Sequence, residues 1–342
     1  PLFAPQAFAY LAAGYHDAAN DASARVMIHK SLELALAIED ESQRSWALQD
    51  IAELELKMGD VGAALETARR ISSLGKPIFV PLDQPVALGS LPADGFRDPL
   101  YGEIASWQAR HRLFDDAMTT AKLIGGQAAA YGAYLSVARW NNPGGASACA
   151  ARLNTIESVI RSKIADIGVL ARALADLSIQ VHRCGADELA RGLLVQSIAL
   201  VNDIRSSFDR EAAISAIGNA YANFGEFAQA IAFIGRIRSP AMRKLPLYEI
   251  GKIAQRLGHP QATFAIAARY GMEDDFDLYF ASVRANAKRF GEAITFASAV
   301  KSLDWRAQAY VEIGRKMLLA SQPSKTAREL ALPIAPEPND LN

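Results

Sequence analysis

Residues 204–240 read IRSSFDREAAISAIGNAYANFGEFAQAIAFIGRIRSP. The stretch predicts a helix, a turn at Gly225 and a second helix, closed by Ser239-Pro240. With Gly218 as phase zero, Arg210 lies eight residues before, Ile204 fourteen before and Gly225 seven after. The same spacing fits Ala52, with Arg44, Ile38 and Gly59, and Gly251, with Arg243, Ile237 and Gly258. Gly314 brings Arg306 and Val300, with Ser321 in the turn. Ala105 brings Arg97, with Arg112 in the turn, and Ala138 brings Ile124 and Gly145. Arg284 keeps Gly291 and Tyr270 but has Phe276 at the arginine position. Ser178 is aligned by Ala173-Leu174, which matches Ala47-Leu48. The phase residues are spaced by 53, 33, 40, 40, 33, 33 and 30. A period near 33 with two amphipathic helices per unit marks a helical solenoid.

Gly218, Tyr221, Gly225, Ala230 and Pro240, with Ile214 and Ile217 at apolar positions, resemble the tetratricopeptide signature. Ile237 stands where that family favours a small alanine, and most other units lack the tyrosine and the proline. The resemblance implies an all-α, right-handed α-solenoid of eight to nine helix-turn-helix units. It implies nothing specific about function.

The chain has 342 residues, 51% of them hydrophobic, and a net charge of −1. A solenoid grows in one dimension, so residues 1–332 are expected to form a single domain. A charge near zero gives no field that favours nucleic acid or an anionic membrane. The longest apolar run, 193–201, is interrupted by Gln196 and Ser197 and is too short to span a bilayer. The sequence starts at Pro1 without methionine. That start fits a processed, exported and therefore periplasmic chain, and it fits a trimmed cytoplasmic one equally.

Residues 75–95 interrupt the repeat and account for the spacing of 53. Pro77, Pro81, Pro85 and Pro92 exclude a helix interior there. Phe79, Val80, Leu88 and their apolar neighbours make the insert too hydrophobic for a linker. It either folds back over neighbouring helices or contributes to a docking surface. Residues 141–145 (NNPGG) read as a turn, followed by longer helices. Residues 333–342 carry three prolines and read as an extended tail.

The recurring arginines Arg44, Arg97, Arg210, Arg243 and Arg306 each sit near the start of a helix, where a cation opposes the dipole. A partner at the end of the preceding helix, or a nearby carboxylate, is expected, which makes them a structural ladder. Ligand contacts are expected instead one, four and five residues after each phase residue. On the resemblance, those positions face a concave groove. They hold Lys57, Arg110, Arg139, His182, Arg183, Lys252, Arg256, Lys288, Arg289 and Arg315. Glu53 is the one acid there, and Asn142, Asn219 and Asn223 add amides. A basic groove would take an acidic protein segment or a peptide carboxylate. The basic groove resembles those of carboxylate-binding tetratricopeptide proteins. However, Gln49 and Ser215 stand where such a clamp would want lysine. The alternative is that Lys and Arg simply favour the last helical turn.

Cys149 opens the second helix of one unit and Cys184 closes the first helix of the next. Those helices are antiparallel neighbours, so a disulfide is within reach and would imply an oxidising compartment. Two unbridged thiols are the alternative. The five histidines lack metal-ligand spacing; His182 and Cys184, two apart, point to different helix faces. No metal or cofactor is expected. The acids Glu273, Asp274, Asp275 and Asp277 read as a helix-start feature. Trp46, Trp107, Trp140 and Trp305 read as packing. No phosphate loop, nucleophile elbow or HExxH motif occurs.

The expected function is a non-enzymatic scaffold or adaptor that holds a protein or acidic peptide, alone or as an accessory subunit of a larger complex. The alternatives are a ligand-binding regulator, with the 75–95 insert closing a pocket, and an enzyme on a helical superhelix.

Overall fold

A tight turn between antiparallel helices needs a residue at positive φ, which glycine adopts without strain. The computed structural model, which describes residues 4–72, 96–140 and 146–321, places such a residue at Gly59, Gly185, Gly225 and Gly258. Ala19, Arg112 and Lys288 adopt the same conformation without being glycine, at φ 57°, 65° and 59°. Seven residues before each of these seven turns stands a small, buried residue: Ala12, Ala52, Ala105, Ser178, Gly218, Gly251 or Ala281. The sequence spacing had put Arg284 in this register. The correct residue is Ala281, because the turn is made by Lys288 and not by Gly291. The same rule makes Ala12 the phase residue of the leading unit at the N-terminal side, whose two helices residues 5–38 already suggested.

Among the described residues the chain is all-helical, with seventeen α-helices, a 3-10 turn at Val201–Asp203 and no strand. The first helices of the hairpins are α1 (Ala4–Asp17), α3 (Glu41–Lys57), α5 (Arg97–Arg110), α7 (Gln127–Arg139), α9 (Ile167–Arg183), α11 (Ser207–Asn223), α13 (Pro240–Arg256), α15 (Glu273–Asn286) and α17 (Leu303–Ser321). Their second helices are α2 (Asp21–Leu36), α4 (Val61–Arg69), α6 (Phe114–Lys122), α8 (Ala146–Lys163), α10 (Asp187–Leu200), α12 (Phe227–Ile234), α14 (Pro260–Tyr270) and α16 (Phe290–Ala299). The expected lengthening after residue 145 is present. α8 has 18 residues and α10 has 14, against 9 in α4 and in α6. The insert at 75–95, the turn at 141–145 with Asn142, and the tail at 333–342 lie outside the described residues.

The contacts divide the chain into two compact units, Pro1–Ala220 and Tyr221–Asn342. In the first unit each hairpin closes on itself, and α1, α3, α5, α7 and α9 pack in sequence, each against the next. In the second unit α13, α15 and α17 do the same. The phase residues sit at these crossings, and their size is the reason the helices can approach. Gly251 is the extreme case: a β-carbon there would lie 2.3 Å from Cζ of the buried Phe276. Phe276 belongs to an aromatic group with Tyr248, Phe280 and Phe296, at centroid separations of 5.1–6.4 Å.

Linkers between units are plugged by a buried apolar residue: Ile71, Ile124, Ile164, Ile204, Ile237, Met272 or Val300. A plug residue cannot leave its carbonyl unpaired at low cost. Arg210 donates from Nε to the Ile204 carbonyl at 3.0 Å, Arg44 from Nη1 to Ile38 at 2.7 Å and Arg306 from Nε to Val300 at 2.7 Å. These arginines are the structural ladder, each reaching back six residues. Arg97 departs from the pattern, with Nε 4.0 Å from Oδ1 of the adjacent Asp98. Arg243 Nε has no hydrogen-bond partner among the described residues.

A second set of ties runs forward. Asp98 Oδ2 accepts from the backbone N–H groups of Gly125 and Gly126 at 2.9 and 2.8 Å. Gln127 Oε1 accepts from Ala165 and Asp166, both at 2.8 Å, and Asp274 from Lys301 and Ser302 at 2.8 and 3.0 Å. Each tie fixes the start of one first helix to the linker ahead of the next. Asp274 thus has a definite partner, and these bonds hold its carboxyl below the usual carboxylate range. Its neighbour Asp275 pairs with Lys244 at 2.9 Å.

Candidate functional site

A cleft of about 710 Å³ lies in the first unit. α5, α7, α9 and the first turn of α11 wall it. Its floor is open because Gly102, Ala128, Ala129, Gly132 and Ala133 carry little or no side chain. A β-carbon added at Gly132 would meet nothing within 4 Å. Phe208, 57% exposed, stands at one side. The polar groups on the walls are Asp98, Glu103, Ser106, Ser136, Arg172 and Asp209.

Two of these hold polar atoms that lack hydrogen-bond partners among the described residues. Asp98 is 2% exposed; its Oδ2 is used on Gly125 and Gly126, but its Oδ1 has no such partner. Arg172 Nε likewise lacks one, while its guanidinium carbon lies 5.7 Å from the centre of the Tyr131 ring. Tyr131 donates its hydroxyl to Asp176. Burial pushes the Asp176 carboxyl up to about 6, against the lowering effects of Tyr131, Arg172 and Arg139.

Asp176 belongs to a pattern that the spacing of basic residues concealed. Two residues before the phase residue stand Asp50, Glu103, Asp176, Glu249 and Glu312. In the second unit the residue three further on is basic and pairs with the acid: Lys252 with Glu249 at 3.2 Å, and Arg315 with Glu312 at 3.0 Å. In the first unit that residue is Glu53, Ser106 or Ile179. The carboxylates there crowd one another. Burial and then Glu53 push Asp50 up to about 6. Burial and Glu53 also raise Glu103, which Arg110 opposes.

The other basic positions are distributed as follows. Lys57 reaches Asp17 at 3.0 Å, and His182 Nδ1 lies 2.7 Å from Asp187 Oδ1. Arg183 donates to Gln180 at 3.4 Å. Lys288 and Arg289 lie in the turn between α15 and α16, outside either helix, and Arg289 donates to Glu292 at 2.6 Å. Arg139 and Arg256 are exposed near the ends of α7 and α13. Asn219 and Asn223 are half-buried on α11. The tryptophans are less buried than expected for packing residues. Trp46, Trp140 and Trp305 are exposed, and only Trp107 is half-buried, stacked on His111 at 3.6 Å.

Cys149 and Cys184 come together as a disulfide pair with Cα atoms 6.1 Å apart, within the normal bridging range. The pair joins the start of α8 to the C-cap of α9, where the helix order had placed them. No helix of the described residues is long and apolar enough to cross a membrane.

No protein-family model matches the chain, and no curated protein matches it. Among solved structures, Ton1535 from Thermococcus onnurineus NA1 is similar over 94% of each chain, at 13% identity and a TM-score of 0.23.

Proposed function

We propose that the protein is a non-enzymatic scaffold on a right-handed, tetratricopeptide-like superhelix, and that it holds an extended segment of a partner protein. The observation that carries this reading is the small-residue floor of the cleft between α5, α7 and α9. Glycine inside a helix costs about 1 kcal/mol relative to alanine. At Gly132 no neighbouring atom requires the missing β-carbon. The space it leaves is cleft volume. An extended peptide offers a carbonyl and an N–H at each residue, and the cleft walls carry polar side chains, Glu103, Ser106 and Ser136 among them, to meet these groups. Phe208 supplies an exposed aromatic contact of the kind enriched at interfaces.

The test is a displayed peptide library selected on the full chain, followed by binding to a Gly132→Phe variant. The added ring fills the cleft, and circular dichroism should show unchanged helicity. Selected peptides should lose at least about tenfold in affinity. Failure to select any peptide, or affinities indifferent to Gly132→Phe, would overturn the scaffold reading.

A further inference from the structure

The charge of the first unit's cleft is opposite to that suggested by the basic positions. Of its charged walls, Asp98, Glu103 and Asp209 are acids and Arg172 is the base. Arg172 is already engaged with the Tyr131 ring and the Asp176 field. On the neighbouring helix α3, Glu53 adds to the same field and is felt at Glu103, while Arg110 opposes it. In the second unit the equivalent acids Glu249 and Glu312 are neutralised by Lys252 and Arg315. The difference is a single substitution pattern: a base three residues after the acid in one unit, and none after Asp50, Glu103 or Asp176 in the other.

Acids placed together are not in themselves a binding site, since solvent and neighbouring cations can satisfy them. Here a separate observation points to a ligand. Asp98 is 2% exposed, lines the same cleft, and has one carboxylate oxygen without a hydrogen-bond partner among the described residues. Arg97 Nε lies 4.0 Å from that oxygen. A buried carboxylate oxygen held by one long ion pair is incompletely compensated, so Asp98 adds to the negative charge of the cleft walls.

We infer that the cleft between α5, α7 and α9 receives a lysine- or arginine-bearing peptide segment, whose cationic side chain sits among Glu103, Asp209 and Asp98. The inference rests on the scaffold reading and specifies the chemistry of the bound segment. Charge complementarity sets the occupant: the carboxylates attract the cation, while the glycine and alanine floor accommodates its alkyl stem.

Two labelled peptides of equal length, one rich in lysine and arginine and one rich in glutamate, are titrated with the full chain and followed by fluorescence anisotropy. The basic peptide should bind, more weakly at high salt. Glu103→Gln with Asp209→Asn should weaken it by about tenfold or more. Glu249→Gln should leave it unchanged, because Lys252 already neutralises that acid. Preference for the glutamate-rich peptide would overturn the inference, as would equal loss in Glu249→Gln, an unchanged affinity in the double variant, or no binding of the basic peptide. In any of those cases, library peptides that still respond to Gly132→Phe leave the scaffold reading standing. If no library peptide responds either, both fail.

Discussion

Glu55 is 4% exposed, and its Oε2 has no hydrogen-bond partner among the described residues. Burial pushes its carboxyl up to about 7, against the lowering effect of Thr67. The folded state therefore holds the proton more tightly than the unfolded chain, where a glutamate titrates near about 4.3. Its contribution to stability is fully present below the unfolded value and is lost as pH rises through about 7. Asp50 and Asp176, each pushed up to about 6, act in the same direction. Thermal stability should therefore fall between about pH 4 and 7. Glu55→Gln, which keeps the shape and removes the charge, should flatten that slope. At about pH 8 it should be more stable by on the order of 2 kcal/mol. Melting curves of both proteins across the interval check this. A wild-type melting temperature that rises toward about pH 7 would contradict it.

At the scale of helices, the approach of α13 to α15 is set by Gly251 beneath the Phe276 ring. No real β-carbon tolerates 2.3 Å to a ring carbon, so Gly251→Ala must displace Phe276 and the aromatic group around it. A loss of about 1–3 kcal/mol in urea unfolding is expected, the range for overpacking a core. An alanine variant as stable as the parent would mean that the two helices are not held at this distance.

This repeat was legible in the sequence because its two markers are chemical necessities: a small residue where helices touch and a left-handed residue seven later. Where the turn residue is not glycine, the marker fails. Lys288 hid the true register of α15, and Ala19 hid the phase residue, Ala12, of a leading unit whose two helices were otherwise legible. The forward ties of Asp98, Gln127 and Asp274 were not legible, because their partners are backbone N–H groups about 27 to 39 residues away. The cleft was half legible. Its helices followed from the repeat, but the basic residues one, four and five after the phase residue masked the acids two before it. Those acids decide the charge, and only the pairing of Lys252 and Arg315 shows which of them are neutralised.

For the molecule as a whole, the bridge between Cys149 and Cys184 is confined to the first unit and spans 35 residues. A loop of that length is expected to contribute about 3–4 kcal/mol by restricting the unfolded chain. Reduction should therefore speed hydrogen exchange in residues 1–220 and leave residues 221–342 nearly as protected as before. Uniform loss of protection along the chain would show that the bridge acts beyond its own unit. The same measurement, made on protein from its native source without reductant, reports whether the thiols are joined in the cell.

The arginine that reaches back six residues has a further consequence, one of heredity more than of energetics. Arg210 and the Ile204 carbonyl it caps lie within one short run of chain, as do Arg44 with Ile38 and Arg306 with Val300. A duplicated gene segment of about 33 codons would copy the fastener along with the module it fastens. New copies would arrive already equipped to join, and a lineage could lengthen the protein without inventing a new joint.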